Sequence, residues 1–314
     1  MDSSGHPRRE FLKRASGAGL ASLLSADLLC GAPALLPNPV GYATIAWPAR
    51  KFNRALEMIS ALGFKGVQLL GWVCDAYRGA RALELRERLQ ALRLQPVTLS
   101  CSRVRLDPDR PKDEMAEVRA YAGFFQRLGG LYLQVTDGGD PHKHYPVDTL
   151  KALGARIGAM GKLAQDFGLT LGYHPHFGTI GETREGLARI LEVTDPRNVM
   201  LIADVGHLTL GGADPAEAVR AYPERLMLTH FKDVRPEVFE RARQNRDLVR
   251  REKHLFCEIG TGAVDFPSIL QAFRETRFEG WVIVELDAYK SQPGGADRSA
   301  QVNKDAIQKL GLTV

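Results

Sequence analysis

Four short apolar runs in the second half of the chain each end on a side chain able to bind a metal or carry a proton. Leu171-Gly172-Tyr173 runs into His174-Pro175-His176, and Leu201-Ile202-Ala203 runs into Asp204, with His207 soon after. Leu226-Met227-Leu228-Thr229 runs into His230, then Lys232-Asp233; Val282-Ile283-Val284 runs into Glu285, then Asp287. Carboxylates crowded together in a half-buried place repel one another unless a cation neutralises them. Imidazole mixed with carboxylate oxygen suits Mn²⁺, Co²⁺, Zn²⁺ or Fe²⁺ rather than Ca²⁺. The pattern therefore predicts one divalent-ion site, with histidine and carboxylate groups beside it for acid/base work.

Such a site needs elements that bring all four run ends together. From Gly41 onward, short apolar runs alternate with amphipathic segments whose hydrophobic residues fall three and four apart. Strands are expected at Gly41–Ala46, Gly66–Leu70, Pro96–Ser100, Leu131–Val135, Thr170–Tyr173, Val199–Asp204, Leu226–His230 and Gly280–Glu285. Between them Phe52, Leu56, Ile59 and Leu62 form one helical stripe, and Leu150, Leu153, Ile157, Met160, Leu163 and Phe167 form the longest. Asp214-Pro215-Ala216-Glu217 reads as a helix N-cap with a first-turn proline. Gly63, Gly168 and Gly280 fall where helices end. Eight such β-α pairs favour an α/β fold, a single (β/α)8 TIM barrel, over a doubly wound sheet. No Gly-x-Gly-x-x-Gly motif follows a strand, which argues against a dinucleotide site. In a barrel the strand ends converge on one mouth, so the four runs meet there.

Composition agrees: 314 residues, 44% hydrophobic and 25% charged, exclude a disordered tail or a collagen-like repeat. A net charge of +5 is too small and scattered for a nucleic-acid partner. At the N-terminus, Arg8-Arg9-Glu10-Phe11-Leu12-Lys13 precedes a weakly apolar, small-residue segment and Ala32-Pro33-Ala34. That is the layout of an export leader, and its arginine pair resembles the twin-arginine signal, which engages an export machinery for folded proteins. Residues 1–34 are thus expected to be a signal peptide, 35–314 the barrel, and the location periplasmic or cell-envelope. Asp27, Pro33 and Pro37 argue against a membrane span, and Leu29 before Cys30 against a lipoprotein cysteine. Cys74, Cys101 and Cys257 have no metal-like spacing, and one pairing among them is left open.

Asp204-Val205-Gly206-His207, His230-Phe231-Lys232-Asp233, Gly260-Thr261-Gly262-Ala263-Val264-Asp265-Phe266 and Gly280-Trp281-Val282-Ile283-Val284-Glu285 together resemble the sugar phosphate isomerase/epimerase superfamily, the xylose isomerase-like TIM barrels. The resemblance covers nearly all of 41–314. Tyr173-His174-Pro175-His176-Phe177-Gly178-Thr179 is most similar to its inosose dehydratase-like branch.

The resemblance implies a metal-dependent carbohydrate isomerase or epimerase that removes a proton next to a carbonyl through a metal-stabilised enediolate. Asp204, His230 and Glu285 match the family's metal ligands, and His174 stands where the family usually has glutamate. One ion is expected, Mn²⁺ ahead of Co²⁺, Zn²⁺ or Fe²⁺, with a sugar, keto-sugar or polyol as substrate. Glu285, His207, His176 and Glu258 are the candidate catalytic residues. Trp47, Trp72, His142, His144, Glu182 and Lys232 are candidate substrate contacts, with Lys232 and Asp233 also expected to orient His230. Loss of the strand-five glutamate, and Gln68 in place of a common carboxylate, weaken two-sided epimerisation. A lyase that dehydrates an inosose or cleaves a keto-glycoside is one alternative, and a non-catalytic exported sugar-binding barrel another. A homo-oligomer is left open.

Overall fold

A computed structural model describes residues 35–106, 113–287 and 294–314; the expected leader and its boundary at Ala34 lie outside them. Eight parallel strands close into a barrel: β1 (Val40–Ala43), β2 (Gly66–Leu70), β3 (Gln95–Val104), β4 (Tyr132–Asp137), β5 (Thr170–Tyr173), β6 (Val199–Asp204), β7 (Leu226–Phe231) and, after a two-strand hairpin β8 (Asp233–Val234) and β9 (Phe256–Cys257), β10 (Trp281–Val284). β10 pairs with β1 and completes the ring. The expected strands all form. The first stops at Ala43, where the chain tightens into a 3-10 turn over Thr44–Ala46, and the third runs on to Val104 past a register shift after Ser100.

The helical stripes are the faces that cover this ring. α1 (Phe52–Ala61) buries Phe52, Leu56 and Ile59, and α5 (Val147–Asp166) buries Leu150, Leu153, Ile157, Met160 and Leu163. Asp214 caps α8 (Pro215–Ala221) by accepting from the Ala216 and Glu217 N–H groups. Gly63 and Gly168 end their helices at positive φ, but α10 (Phe266–Thr276) ends on Arg277 in the left-handed conformation. Gly280 has another reason to be glycine: a Cβ there would meet Met227 O at 2.5 Å.

Strand period two decides what lies inside. Ala43, Ile202, Leu228 and Ile283 face the barrel axis and form an apolar floor with Val97 and Met227. Gly41, Gly66 and Gly172 share that face, where added Cβ atoms would clash with Ile283, Trp281 and Ile202 at 2.5–2.6 Å. Outward neighbours such as Val67, Leu171, Leu201 and Val282 pack under the helices in the main core.

Beyond β7, Asp233 ties down the loop that returns to α10. Its carboxylate accepts the N–H groups of Val234 and Val264 on one oxygen and of Gly260 and Gly262 on the other. A Cβ at Gly262 would sit 2.2 Å from that carboxylate, which explains the glycine. Asp233→Ala leaves four N–H groups without their acceptor and is expected to destabilise by at least about 3 kcal/mol. Urea unfolding measures it, and an unchanged midpoint would contradict the assignment.

Candidate active site

Inward-facing positions one step above the apolar floor carry the polar residues. β6 pairs Asp204 with His230 of β7, and β10 pairs Ile283 with His230. The Glu285 N–H donates to Phe231 O, and the His174 N–H to Val135 O, so both extend their strands by one residue at the same depth. The four run ends therefore converge. His174 Nε2 lies 3.2 Å from Asp204 Oδ2, and His230 Nδ1 lies 3.4 Å from both Asp204 Oδ2 and Glu285 Oε2. His174, Asp204, His230 and Glu285 are all buried.

Two more histidines close over this set. His207, on α7 (Val205–Leu210), has its backbone N–H bonded to Asp204 Oδ1, and its ring stands 3.7 Å from that of His176, centroid to centroid. His176 Nδ1 lies 2.7 Å from Phe177 O; a carbonyl only accepts, so the ring carries its proton on Nδ1 and leaves Nε2 a free acceptor. Phe256, delivered by the β8–β9 hairpin, meets the His207 ring edge-on.

Lys232 sits inside the cluster rather than on its rim. It is fully buried, with Nζ 2.7 Å from Glu285 Oε1, 3.1 Å from Asp287 Oδ1, 3.3 Å from Asp204 Oδ2 and 3.1 Å from His207 Nε2. Burial would lower its pKa, but Asp204, Asp287 and Glu285 outweigh burial and raise it, so the amine stays charged. In return, burial would raise the Asp204 and Glu285 carboxyls, yet Lys232 and the histidines hold Asp204 well below the usual range and Glu285 at about 2. Asp287 goes the other way: burial, with Glu285 and Asp204 adding to it against Lys232, pushes it up to about 7. Burial holds His174, His176 and His207 neutral, His176 down to about 3.

These features fit a divalent ion. One ammonium among the carboxylates of Asp204, Glu285 and Asp287 does not balance the negative charge gathered here. Neither ring nitrogen of buried His230 has a hydrogen-bond partner among the described residues, a costly state for an imidazole unless a metal engages it. Ligand atoms of Asp204, His230 and Glu285, and of His174, Asp204 and His207, lie within 4.8 Å of one another in each set.

A profile of the xylose isomerase-like TIM barrel matches residues 56–306. The chain belongs to that family. Inosose dehydratase of Clostridium botulinum (strain Alaska E43 / Type E3) is 27% identical over 269 residues, covering 79% of this chain and 88% of that protein. Inosose dehydratase of Geobacillus kaustophilus (strain HTA426) is 32% identical over 196 residues, 58% of this chain and 64% of its own. Among solved structures, the probable 3-DHS dehydratase AsbF of Bacillus anthracis superposes with a TM-score of 0.70 at 15% identity, over 86% of this chain and 98% of that one. The IOLI protein with a bound zinc atom gives 0.69 at 16%, over 87% and 98%. At such identities the structural likeness establishes the xylose isomerase-like fold.

Within that fold the other candidate residues make their contacts outside the histidine–carboxylate cluster. Trp47 is buried edge-on against Tyr42 and donates Nε1–H to Asp297. Trp72, on α2 (Gly71–Ala76), packs edge-on against Phe52 of α1. His142 is exposed and bonds Asp247; His144 lines a groove of about 430 Å³ with Tyr145, Leu150, Arg189 and Val193 between outer helices. Glu182 is buried in a bidentate pair with Arg250, and Glu258 accepts from Ser299 on α11 (Gly295–Lys309). Asp233 serves its loop and does not orient His230. Cys74, Cys101 and Cys257 are unpaired thiols.

Two contributors escaped the sequence reading as site residues. Gln68 donates to Glu285 Oε2 at 2.6 Å, and Asp287 shares Lys232. Both have the strand parity of their inward neighbours, Gly66 and Glu285. Asp204→Ala or His230→Ala is expected to abolish stoichiometric divalent-metal binding, read by elemental analysis of the folded protein. Unchanged occupancy would refute this ligand set.

Proposed function

We propose that the protein is a divalent-metal-dependent lyase that dehydrates a keto-polyol of the inosose type. The observation that carries this reading is the engagement of Glu285. Its Oε1 is held by Lys232 and its Oε2 by Gln68, while β5 delivers His174 instead of a second glutamate. Proton exchange on both faces of a carbon needs two free bases, and the carboxylate pair that would supply them is lacking. Epimerisation therefore ranks second, and the inosose dehydratases among the relatives support the same order.

His174, Asp204, His230 and Glu285 are the residues that would hold the ion, Mn²⁺ first. Bound there, it would supply Lewis acidity to the ketone and an adjacent hydroxyl. The remaining chemistry falls to the chain. Lys232 donates to His207 Nε2, so His207 carries its own proton on Nδ1, a buried donor without a partner among the described residues and suited to a substrate oxygen. His176 offers Nε2 to the proton next to the ketone. Negative charge building on the substrate raises the basicity of this ring at that moment. Once protonated, an imidazole whose pKa burial has lowered is a strong acid, and it returns the proton to the departing β-hydroxyl. The C–H electron pair becomes the new double bond, the C–O bond breaks, and water leaves with His176 neutral again. One carrier on one face makes the elimination syn.

The metal-loaded protein should convert an inosose to a dehydrated, ultraviolet-absorbing ketone with syn stereochemistry. His176→Gln should lower kcat by about 10²–10⁴-fold while metal content stays at the wild-type level. A substrate epimer formed without loss of water, or full activity in His176→Gln, would overturn the reading. We also infer export of the folded barrel from the Arg8-Arg9 leader. Arg8→Lys with Arg9→Lys should retain the precursor in the cytoplasm, and unaltered secretion would reject that route.

A further inference from the structure

His176 owes its orientation to one peptide plane. The carbonyl of Phe177 accepts its Nδ1–H at 2.7 Å, and the N–H on the other side of that peptide, from Gly178, donates to Glu182 Oε2 at 2.7 Å. Gly178 has φ +87°, a conformation next to which a peptide can turn over with little steric resistance. Turning it would remove the acceptor from Nδ1 and the donor from Glu182 together. What opposes this is the Glu182 carboxylate, 1% exposed and gripped on both oxygens by Arg250 Nη1 and Nη2 at 2.9 and 2.7 Å. Arg250 comes from the long insertion between β8 and β9. Its guanidinium lies over the Phe177 ring at 4.9 Å, and its Nε donates to Asp247, the residue that also holds His142. Arg246 Nε stands 3.6 Å from Glu182 Oε1, beyond hydrogen-bond distance, and does not duplicate the fork.

We propose that Arg250 and Glu182 are positioning residues that lock the Phe177–Gly178 peptide and so hold His176 as the Nδ1–H tautomer with Nε2 free. The catalytic consequence rests on His176 being the proton carrier; the tautomer itself does not. A bidentate pair is suited to this because it restrains direction as well as distance, whereas a buried carboxylate stripped of its partner would move or take up a proton. His142 acquires a role through the same chain of bonds, as an outer brace on Asp247.

The test uses the full-length, zinc-loaded protein labelled with ¹⁵N-histidine, with long-range ¹H–¹⁵N spectra read at one fixed pH. Wild type should show His176 with a protonated Nδ1 and an unprotonated Nε2, and Arg250→Ala should lose that signature while zinc stoichiometry holds. On a turned-over inosose, Arg250→Ala should lower kcat by about 10²-fold with KM unchanged, Arg250→Lys should recover part of the loss, and Arg250→Ala should cost nothing further in a His176→Gln background. A native tautomer in Arg250→Ala, or the same fold loss with and without His176, overturns the proposal. Should Arg250→Ala fail to fold, Glu182→Gln keeps an acceptor for Gly178 but weakens the fork, and a native tautomer with full kcat in that variant would be equally decisive against it. If no inosose is turned over, the proposed reaction fails, while the spectra still decide the positioning role.

Discussion

Everything at the barrel mouth depends on one buried ammonium among three carboxylates. Without Lys232, the buried carboxylates of Asp204 and Glu285 would stand together beside the partly exposed Asp287, at a cost of several kcal/mol per buried ion. With it, Asp204 and Glu285 remain ionised and Asp287 alone yields. The apolar floor of Ile202, Leu228 and Ile283 strengthens each of these interactions by lowering the local dielectric. The residual negative charge is the reason a cation belongs here, and the His230 ring nitrogens, without a hydrogen-bond partner among the described residues, are suited to it.

The strands and the metal-type residues were legible because a parallel barrel obeys two simple rules. Side chains alternate with period two, and functional groups gather at the carboxyl ends. Ile202 and Asp204, Leu228 and His230, and Ile283 and Glu285 each differ by two, so a reader who knows the floor knows the site. The same parity runs from Gly66 to Gln68, from His230 to Lys232 and from Glu285 to Asp287. Gln68, Lys232 and Asp287 were therefore readable as inward groups. The loop residues carried no such signal. Nothing in local spacing says that Trp47 turns into the core to meet Tyr42, or that His142 reaches an aspartate on an insertion more than a hundred residues later. Arg277 is a smaller case: propensity favours glycine at a left-handed helix end, and the packing that closes α10 overrode it.

That division between strand and loop bears on which reaction the barrel performs. The metal-type residues stand on, or one residue past, strands whose backbone hydrogen bonds leave little freedom. His176 lies past the end of β5, in a turn where glycine permits more than one peptide orientation, and the buried Glu182–Arg250 pair holds one of them. A two-glutamate site carries both bases on the rigid part and can serve both faces of a substrate. Here the strand-five carboxylate has become His174, Glu285 has both oxygens occupied, and the free acceptor has moved outward to one histidine on one side. Proton removal and return at the same carbon from a single face restore its starting configuration, so one base does not epimerise that carbon. The proposed dehydration differs in that something else leaves in the interval. In a β-hydroxy ketone that something is the hydroxyl group, and the low intrinsic basicity of a buried imidazole speeds its protonation and departure.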